Sequence, residues 1–335
     1  MTIALHDPLD RPLRDLRISV TDRCNLRCAY CMPKQIFGRG YKFLDRGEML
    51  TFEEIERLAR LFVRLGVRKI RLTGGEPLLR TDLPELVGRL GALPLDLAMT
   101  SNGLLLAKHA KKLASAGLGR VTVSLDALDD ATFSLNNGVG ARAQAILDGI
   151  DAAAAAGLTP VKINMVVRRG INEHCVLPMA RRFRGTPHVF RLIEFMDVGR
   201  TNGWRFADVV PARELVEMID RELPLEPIAP AYRGEVARRW RYRDGRGEIG
   251  VIASVTEPFC GDCTRVRLSS NGKLYTCLFA STGTDLKRWL RDGVSDATIV
   301  AHLRGLWSRR ADRYSEKRAI STGGGQGIEM SYIGG

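Results

Sequence analysis

Cys24-Asn25-Leu26-Arg27-Cys28-Ala29-Tyr30-Cys31 follows a short apolar run at residues 16–20. Three thiols in the pattern C-x3-C-x2-C can hold three corners of a cubic iron–sulfur cluster and leave the fourth iron without a protein ligand. Such an iron can bind and reduce a small molecule, whereas a cubane that only carries electrons normally has four thiolates. Structural zinc is the competing reading, although zinc modules usually close with a second C-x2-C pair or with histidines. A disulfide framework belongs to oxidising compartments and usually to small chains, and this chain has 335 residues.

Outward from that motif, strand and helix patterns alternate through the first two hundred residues. Apolar runs predict strands at residues 16–20, Lys69–Thr73, 95–100, Arg120–Ser124, 160–167 and 189–196. The clearest helix begins after Thr51, with Glu54 as capping-box partner and Ile55, Leu58, Ala59, Phe62 and Leu65 on one face; Gly66 ends it. A second helix covers residues 141–156 and closes at Gly157. Six β/α units imply parallel strands with right-handed crossovers, an α/β fold of the partial (β/α)6 TIM-barrel type. The unusual polar segments fall on or just after these strands: residues 24–31, 73–77, 100–103, 124–126, Lys162 with Asn164, and 194–197. Strand C-termini are where α/β barrels place their active sites.

Past residue 200 the pattern changes. A proline-rich stretch from Pro224 to Pro230 leads into antiparallel strands at residues 236–242 and 248–253, then to helices at 284–291 and 295–307. Two domains are expected, residues 1–200 and an α+β extension over residues 201–335. Between the late strands and helices lies a second triplet, Cys260-x2-Cys263-x13-Cys277. Structural zinc with a fourth ligand competes here too; His302, the only histidine downstream, sits in a helical pattern that suits a core or surface role better. Cys175, beside His174 at a helix start, reads as a free thiol.

Hydrophobic residues make up 45% of the chain, so a large core is expected. The N-terminus lacks a basic patch followed by an apolar run, and no apolar stretch approaches membrane-spanning length. Seven cysteines without a secretory leader point to a reducing cytoplasm. The formal net charge of +13 suits a phosphate-bearing ligand, but there is no long Lys/Arg arm of the kind dedicated to nucleic acid. Arg265 and Arg267 stand two apart in an extended segment and therefore point the same way; guanidinium groups grip phosphate oxygens in pairs. Gly74-Gly75-Glu76-Pro77 is a tight turn whose glycines let main chain approach a ligand, with Glu76 as an acceptor for an ammonium group.

The triple-cysteine motif followed one β/α unit later by Gly-Gly-Glu-Pro resembles the radical S-adenosylmethionine (SAM) enzymes. The whole chain resembles the GTP 3′,8-cyclases of molybdenum cofactor biosynthesis, through residues 14–24, 70–77, 123–127, 161–164, 193–199, the Cys260-x2-Cys263-Thr-Arg-x-Arg segment and the terminal Ser331-Tyr-Ile-Gly-Gly335. Ser101 departs from the family's second threonine but keeps the hydroxyl; the effect of the glycine-rich loop at residues 136–140 on the nucleotide is left open.

The resemblance implies two [4Fe-4S] clusters, one on Cys24, Cys28 and Cys31 that binds SAM and one on Cys260, Cys263 and Cys277 that contacts guanine. It implies a SAM site of Tyr30, Gly75, Ser124 and Met196, with Tyr30 near the adenine. It places Arg17, Arg71, Thr100, Lys162, Arg265, Val266 and Arg267 around GTP, with Arg17, Arg265 and Arg267 as catalytic residues and Val266 limited to backbone or apolar contact. The terminal di-glycine is expected to reach the active site. The implied reaction is abstraction of the ribose 3′ hydrogen by a 5′-deoxyadenosyl radical and closure to (8S)-3′,8-cyclo-7,8-dihydro-GTP. Implied partners are a flavodoxin- or ferredoxin-like reductant and the next pathway enzyme, cyclic pyranopterin monophosphate synthase; a homodimer is admitted, while a membrane and nucleic acid are not expected. Two alternatives stand beside this: a radical SAM enzyme for a peptide or another nucleotide, and a non-enzymatic zinc or iron–sulfur protein that binds RNA.

Overall fold

Alternation of side chains builds the framework. In β1 (Asp15–Ser19), Leu16 and Ile18 are buried in the outer core while Asp15 and Arg17 turn inward. The computed structural model describes residues 5–318 and 327–334. β2 (Lys69–Thr73), β3 (Asp96–Ser101), β4 (Arg120–Ser124), β5 (Lys162–Val167) and β6 (Val189–Glu194) follow, each parallel to its predecessor. All six match the strands predicted from sequence to within two residues at either end.

The remaining strands are β7 (Leu225–Ile228), β8 (Arg238–Tyr242), β9 (Glu248–Ile252), β10 (Arg265–Leu268), β11 (Lys273–Tyr275) and β12 (Thr284–Asp285). They join the same sheet, in the order β12-β11-β10-β1-β2-β3-β4-β5-β6-β9-β8-β7. β8 and β9 pair antiparallel as expected, and the proline-rich stretch expected as a linker adds β7 antiparallel to β8, with Pro227 at the sheet edge; β9 also lies parallel to β6, and β10 lies parallel to β1. The later residues thus extend both edges of the barrel sheet. Sequence pattern could not place these edges, because a pairing between residues 59 apart (Phe190 with Ile249) or 250 apart (Asp15 with Arg265) leaves no local trace.

Helices cover the outer face. Phe52–Arg64 starts as predicted: Thr51 Oγ1 accepts from the Glu54 amide at 3.2 Å, and the Glu54 carboxylate accepts from the Thr51 amide at 2.8 Å. Such a box satisfies two of the orphan amides at a helix start. Ile55, Leu58, Ala59 and Phe62 pack inward, and Gly66 takes φ +109° to turn the chain into β2. The helix expected at 141–156 spans Ala143–Ala155, and those near the C-terminus span Leu286–Arg291 and Asp296–Ser308. Among the described residues no helix is long and apolar enough to cross a membrane.

Candidate active site

The two cysteine triplets stand at opposite ends of the barrel strands and line one cavity of about 340 Å³. Cys24, Cys28 and Cys31 follow the C-terminal end of β1. Cys263 lies just before β10, which runs parallel to β1, and therefore sits at the other end. β11 runs back antiparallel, so Cys277, just past Tyr275, returns to Cys263. All seven cysteines are free. Tetrahedral zinc with Zn–S bonds of about 2.3 Å draws its sulfurs to about 3.8 Å of one another. Among the described residues only Asp129, His174 and Cys175 bring three donor atoms within 4.8 Å of one another, so neither cysteine triplet is closed to the spacing of a zinc site.

The first triplet lies in a loop pinned from three sides. Arg27 donates to the carbonyls of Phe37 (2.6 Å), Cys24 (2.7 Å) and Leu26 (2.7 Å). The loop at 136–140 clasps the cysteine segment: the Asn136 and Asn137 carbonyls accept from the amides of Ala29 (3.2 Å) and Arg27 (2.8 Å). Gly138, at φ +68°, packs where a Cβ would meet the Arg27 carbonyl at 2.4 Å. Burial pushes the Cys24 thiol up to about 11 and raises those of Cys28 and Cys31 well above their ordinary value too. Metal ligation reverses that preference, since the ligand is the thiolate.

The Gly74–Gly75 turn presses against this loop, with the Gly75 amide donating to the Thr21 carbonyl at 2.8 Å. A Cβ on Gly75 would come within 2.2 Å of the Arg23 carbonyl oxygen. Glu76 does not serve as expected. Its carboxylate is fully buried and accepts from the Leu78 amide (3.1 Å), the Ser101 hydroxyl (2.9 Å) and the Asn102 amide (2.7 Å), tying two strand-end turns together. A carboxylate so engaged is a structural tie, and the cavity is lined by the glycines instead. Tyr30, Gly75, Ser124 and Met196 all line the cavity. The Tyr30 hydroxyl donates to Asp126 at 2.8 Å, and burial pushes the Asp126 carboxyl up to about 6 despite that bond and the Val166 amide.

Between the triplets lies a crowd of cations. Register sets Arg267 beside Arg17 and Arg17 beside Arg71 across β10, β1 and β2. Arg71 donates to the hydroxyls of Thr100 (3.0 Å) and Thr122 (2.8 Å). Arg17, Arg71, Thr100, Lys162, Arg265 and Arg267 all line the cavity. Val266 does not: strand alternation turns its side chain outward into the core, 1% exposed, leaving only main chain on this side. Lys69 and Arg191 were missed by sequence reading and also face the cavity. Their signal was the period-two alternation with Arg71 on β2, and the register that sets Arg191 beside Asn164, whose Oδ1 accepts from Arg191 Nε at 2.9 Å. Burial first, then mutual repulsion, lowers Lys162 to about 7, Lys69 to about 8 and Arg191 to about 9.

At the second triplet, Arg265 Nη2 lies 3.4 Å from Cys263 Sγ. Burial raises the Cys263 thiol, but Arg265 and Arg310 outweigh it and bring it down to about 6. Burial pushes Cys277 up to about 11. The Gly334 carbonyl accepts from Arg267 Nη1, so the tail enters the cavity region; Gly335 lies outside the described residues. Cys175 is a buried thiol donating to Asp129, and His302 packs edge-on against Trp289 at 4.3 Å.

Residues 18–183 match the model of the radical SAM superfamily, and residues 188–316 match Molybdenum Cofactor Synthesis C. A GTP 3′,8-cyclase of Acidothermus cellulolyticus is 54% identical, and one of Staphylococcus epidermidis is 49% identical, each alignment covering 100% of both chains. SuiB of Streptococcus suis, solved bound to S-adenosylmethionine, superposes with a TM-score of 0.61 at 17% identity, covering 95% of this chain and 72% of that one. Methylornithine synthase (PylB) superposes with a TM-score of 0.51 at 16% identity, over 92% and 86% of the two chains. At such identities the structures speak for the fold alone.

Proposed function

The chain belongs to the GTP 3′,8-cyclase family of the radical SAM superfamily, and on that premise we propose how its cavity is divided among cofactors and substrate. The enzyme cyclises GTP to (8S)-3′,8-cyclo-7,8-dihydro-GTP in the first step of molybdenum cofactor biosynthesis, with two [4Fe-4S] clusters and SAM as cofactors. When bound, these cofactors supply single electrons and the 5′-deoxyadenosyl radical that takes the ribose 3′ hydrogen.

Cys24, Cys28 and Cys31 hold the SAM-binding cluster, and Cys260, Cys263 and Cys277 hold the second. Tyr30, Gly75, Ser124 and Met196 line the place of SAM. Arg17, Arg71, Thr100, Lys162, Arg265 and Arg267 receive GTP, joined by Lys69 and Arg191. The observation that carries this division is the cation crowd between the two triplets in one cavity. Cations depressed by one another's charge are stabilised by a triphosphate, and converging guanidinium donors fix its oxygens in place. That grip orients the ribose and the base, which matters because a misplaced radical would attack the protein. The buried walls keep water from the reacting carbon.

Residues 1–200 form the SAM-binding part and residues 201–335 the second-cluster part. The enzyme works in the cytoplasm, receives electrons from a flavodoxin- or ferredoxin-like protein, and passes its product to cyclic pyranopterin monophosphate synthase. A homodimer is compatible with this scheme. The test is hydrogen transfer: GTP deuterated at the ribose 3′ carbon should deliver its label to 5′-deoxyadenosine in the anaerobically reconstituted enzyme. Turnover without label in that product would overturn the assignment.

A further inference from the structure

Two arginines from opposite ends of the chain grip the main chain around the second cysteine triplet. Near the N-terminus, Asp7 Oδ1 accepts from the amides of Leu9 (2.9 Å) and Arg11 (3.0 Å), and Arg11 Nε donates to Asp7 Oδ2 at 2.5 Å. Arg11 Nη1 then donates to the carbonyls of Cys260 and Asp312, both at 2.8 Å. From the C-terminal side, Arg310 Nη1 donates to the Cys263 carbonyl at 2.7 Å and lies 3.3 Å from the same Asp7 oxygen. Arg310 Nε reaches the carbonyl of Thr276, the neighbour of Cys277, at 3.1 Å. All three side chains are at most 1% exposed. Trp307 closes the group: its indole N–H donates to the Arg11 carbonyl at 3.0 Å, and its ring lies 4.5 Å from the Arg310 guanidinium.

Stability alone is a poor account of this trio. Buried ion groups are often replaceable by apolar residues without loss, because desolvation cancels most of the attraction. Here two guanidiniums share the fully buried Asp7, and Arg310 Nε also lies 3.3 Å from a carboxylate oxygen of the part-exposed Asp312, so the charges pair while the Arg310 guanidinium stays fixed beside Cys263. Its donors end on Cys260, Cys263 and the residue before Cys277, one contact for each arm of the triplet. Partners behind the direct ligands commonly fix ligand direction and tune a metal centre. A fixed positive charge beside a cluster also favours its more negative, reduced form.

We infer that Asp7, Arg11 and Arg310 are positioning residues for the second cluster, a clamp that sets where its three thiols point and how readily it is reduced. The inference rests on the assignment of Cys260, Cys263 and Cys277 as cluster ligands. In the full-length enzyme, reconstituted anaerobically, Arg310→Gln should lower the second cluster's reduction potential. It should also speed the loss of that cluster's iron to a chelator by about tenfold or more. SAM cleavage without GTP, which reports the first cluster, should stay as in the parent. Arg310→Lys keeps the charge but not the fork, so it should restore the potential more than the iron retention. The second cluster's electron paramagnetic resonance signal is identified as the one surviving Cys24→Ala/Cys28→Ala/Cys31→Ala.

An unchanged potential and iron-loss rate in Arg310→Gln would overturn the clamp. So would loss of both clusters in step, since the trio would then serve the fold at large. Should Arg310→Gln not fold, Asp7→Asn, which keeps both arginines but removes the negative charge, should raise the potential and speed iron loss, and no change in either would overturn the clamp. The underlying assignment fails separately: it is wrong if Cys277→Ala, which leaves no ligand atom there, keeps the parent's full iron of about eight per chain.

Discussion

Arg17 and Arg267 are register partners on adjacent parallel strands, both turned into the cavity. The Arg17 guanidinium is held well below its ordinary range, first by burial and then by Arg267, Arg265 and Arg71. Like charges in such a place are poised for an anion. Truncating one partner of a buried charged contact typically costs about 2–5 kcal/mol. Arg17→Ala should therefore lower kcat/KM for GTP by about 30-fold or more, while SAM cleavage without GTP continues. A variant within twofold of the parent in anaerobic product assays would remove Arg17 from the GTP site.

The lowered lysines make GTP binding pH-dependent. Lys162 and Lys69 titrate at about 7 and about 8 in the free protein, against an ordinary 10.5. Phosphate contact raises both again, so binding near pH 8 takes up protons and affinity falls as pH rises from about 7 to 10. Isothermal titration calorimetry in buffers of different ionisation enthalpy should show net proton uptake at pH 8; zero uptake contradicts the assignment. The sign for folding is the reverse. Between about 7 and 10.5 the unfolded chain binds more protons at these lysines, so they make the GTP-free fold more stable as pH rises, seen as a rising melting temperature.

Glu76→Gln replaces an all-acceptor carboxylate with a group that has one acceptor oxygen for three donors. Unfolding by denaturant should show a loss of about 1–3 kcal/mol. SAM affinity should fall with it, since Gly75 is placed by this tie. Weakened SAM binding without any loss of stability would instead favour direct contact between Glu76 and SAM.

Gly334 takes φ +75°, and a Cβ there would lie 2.1 Å from Thr73 Cγ2. Gly334→Ala should displace the tail from Arg267 and cut turnover by about tenfold or more. The melting temperature should stay within about 2 °C, because the barrel core does not depend on the tail. Unchanged turnover would show that the Arg267–Gly334 contact has no part in the reaction.

The parallel strands and their order were legible because each apolar run is short, bounded and followed by a helix with its own start signal, as at Thr51. The polar strand ends were legible for the same reason. Glu76 was misread because a motif shows which residue types are adjacent and not which way each side chain turns. Lys69 and Arg191 escaped notice because a lone cation on a strand looks like any surface charge until register sets it beside others.

Sequence by itself determined the two cysteine triplets, the parallel β/α framework and the alternation that turns Arg17, Arg71, Arg265 and Arg267 to one face, since spacing and periodicity are local properties of the chain. Tertiary structure alone decided that β10 pairs with β1, which brings both triplets and the cations onto one cavity. It alone decided that Arg11 and Arg310, 299 residues apart, meet on one carboxylate behind Cys260 and Cys263. Those pairings follow from closing long loops around a common core, and no periodicity within either segment encodes its distant partner.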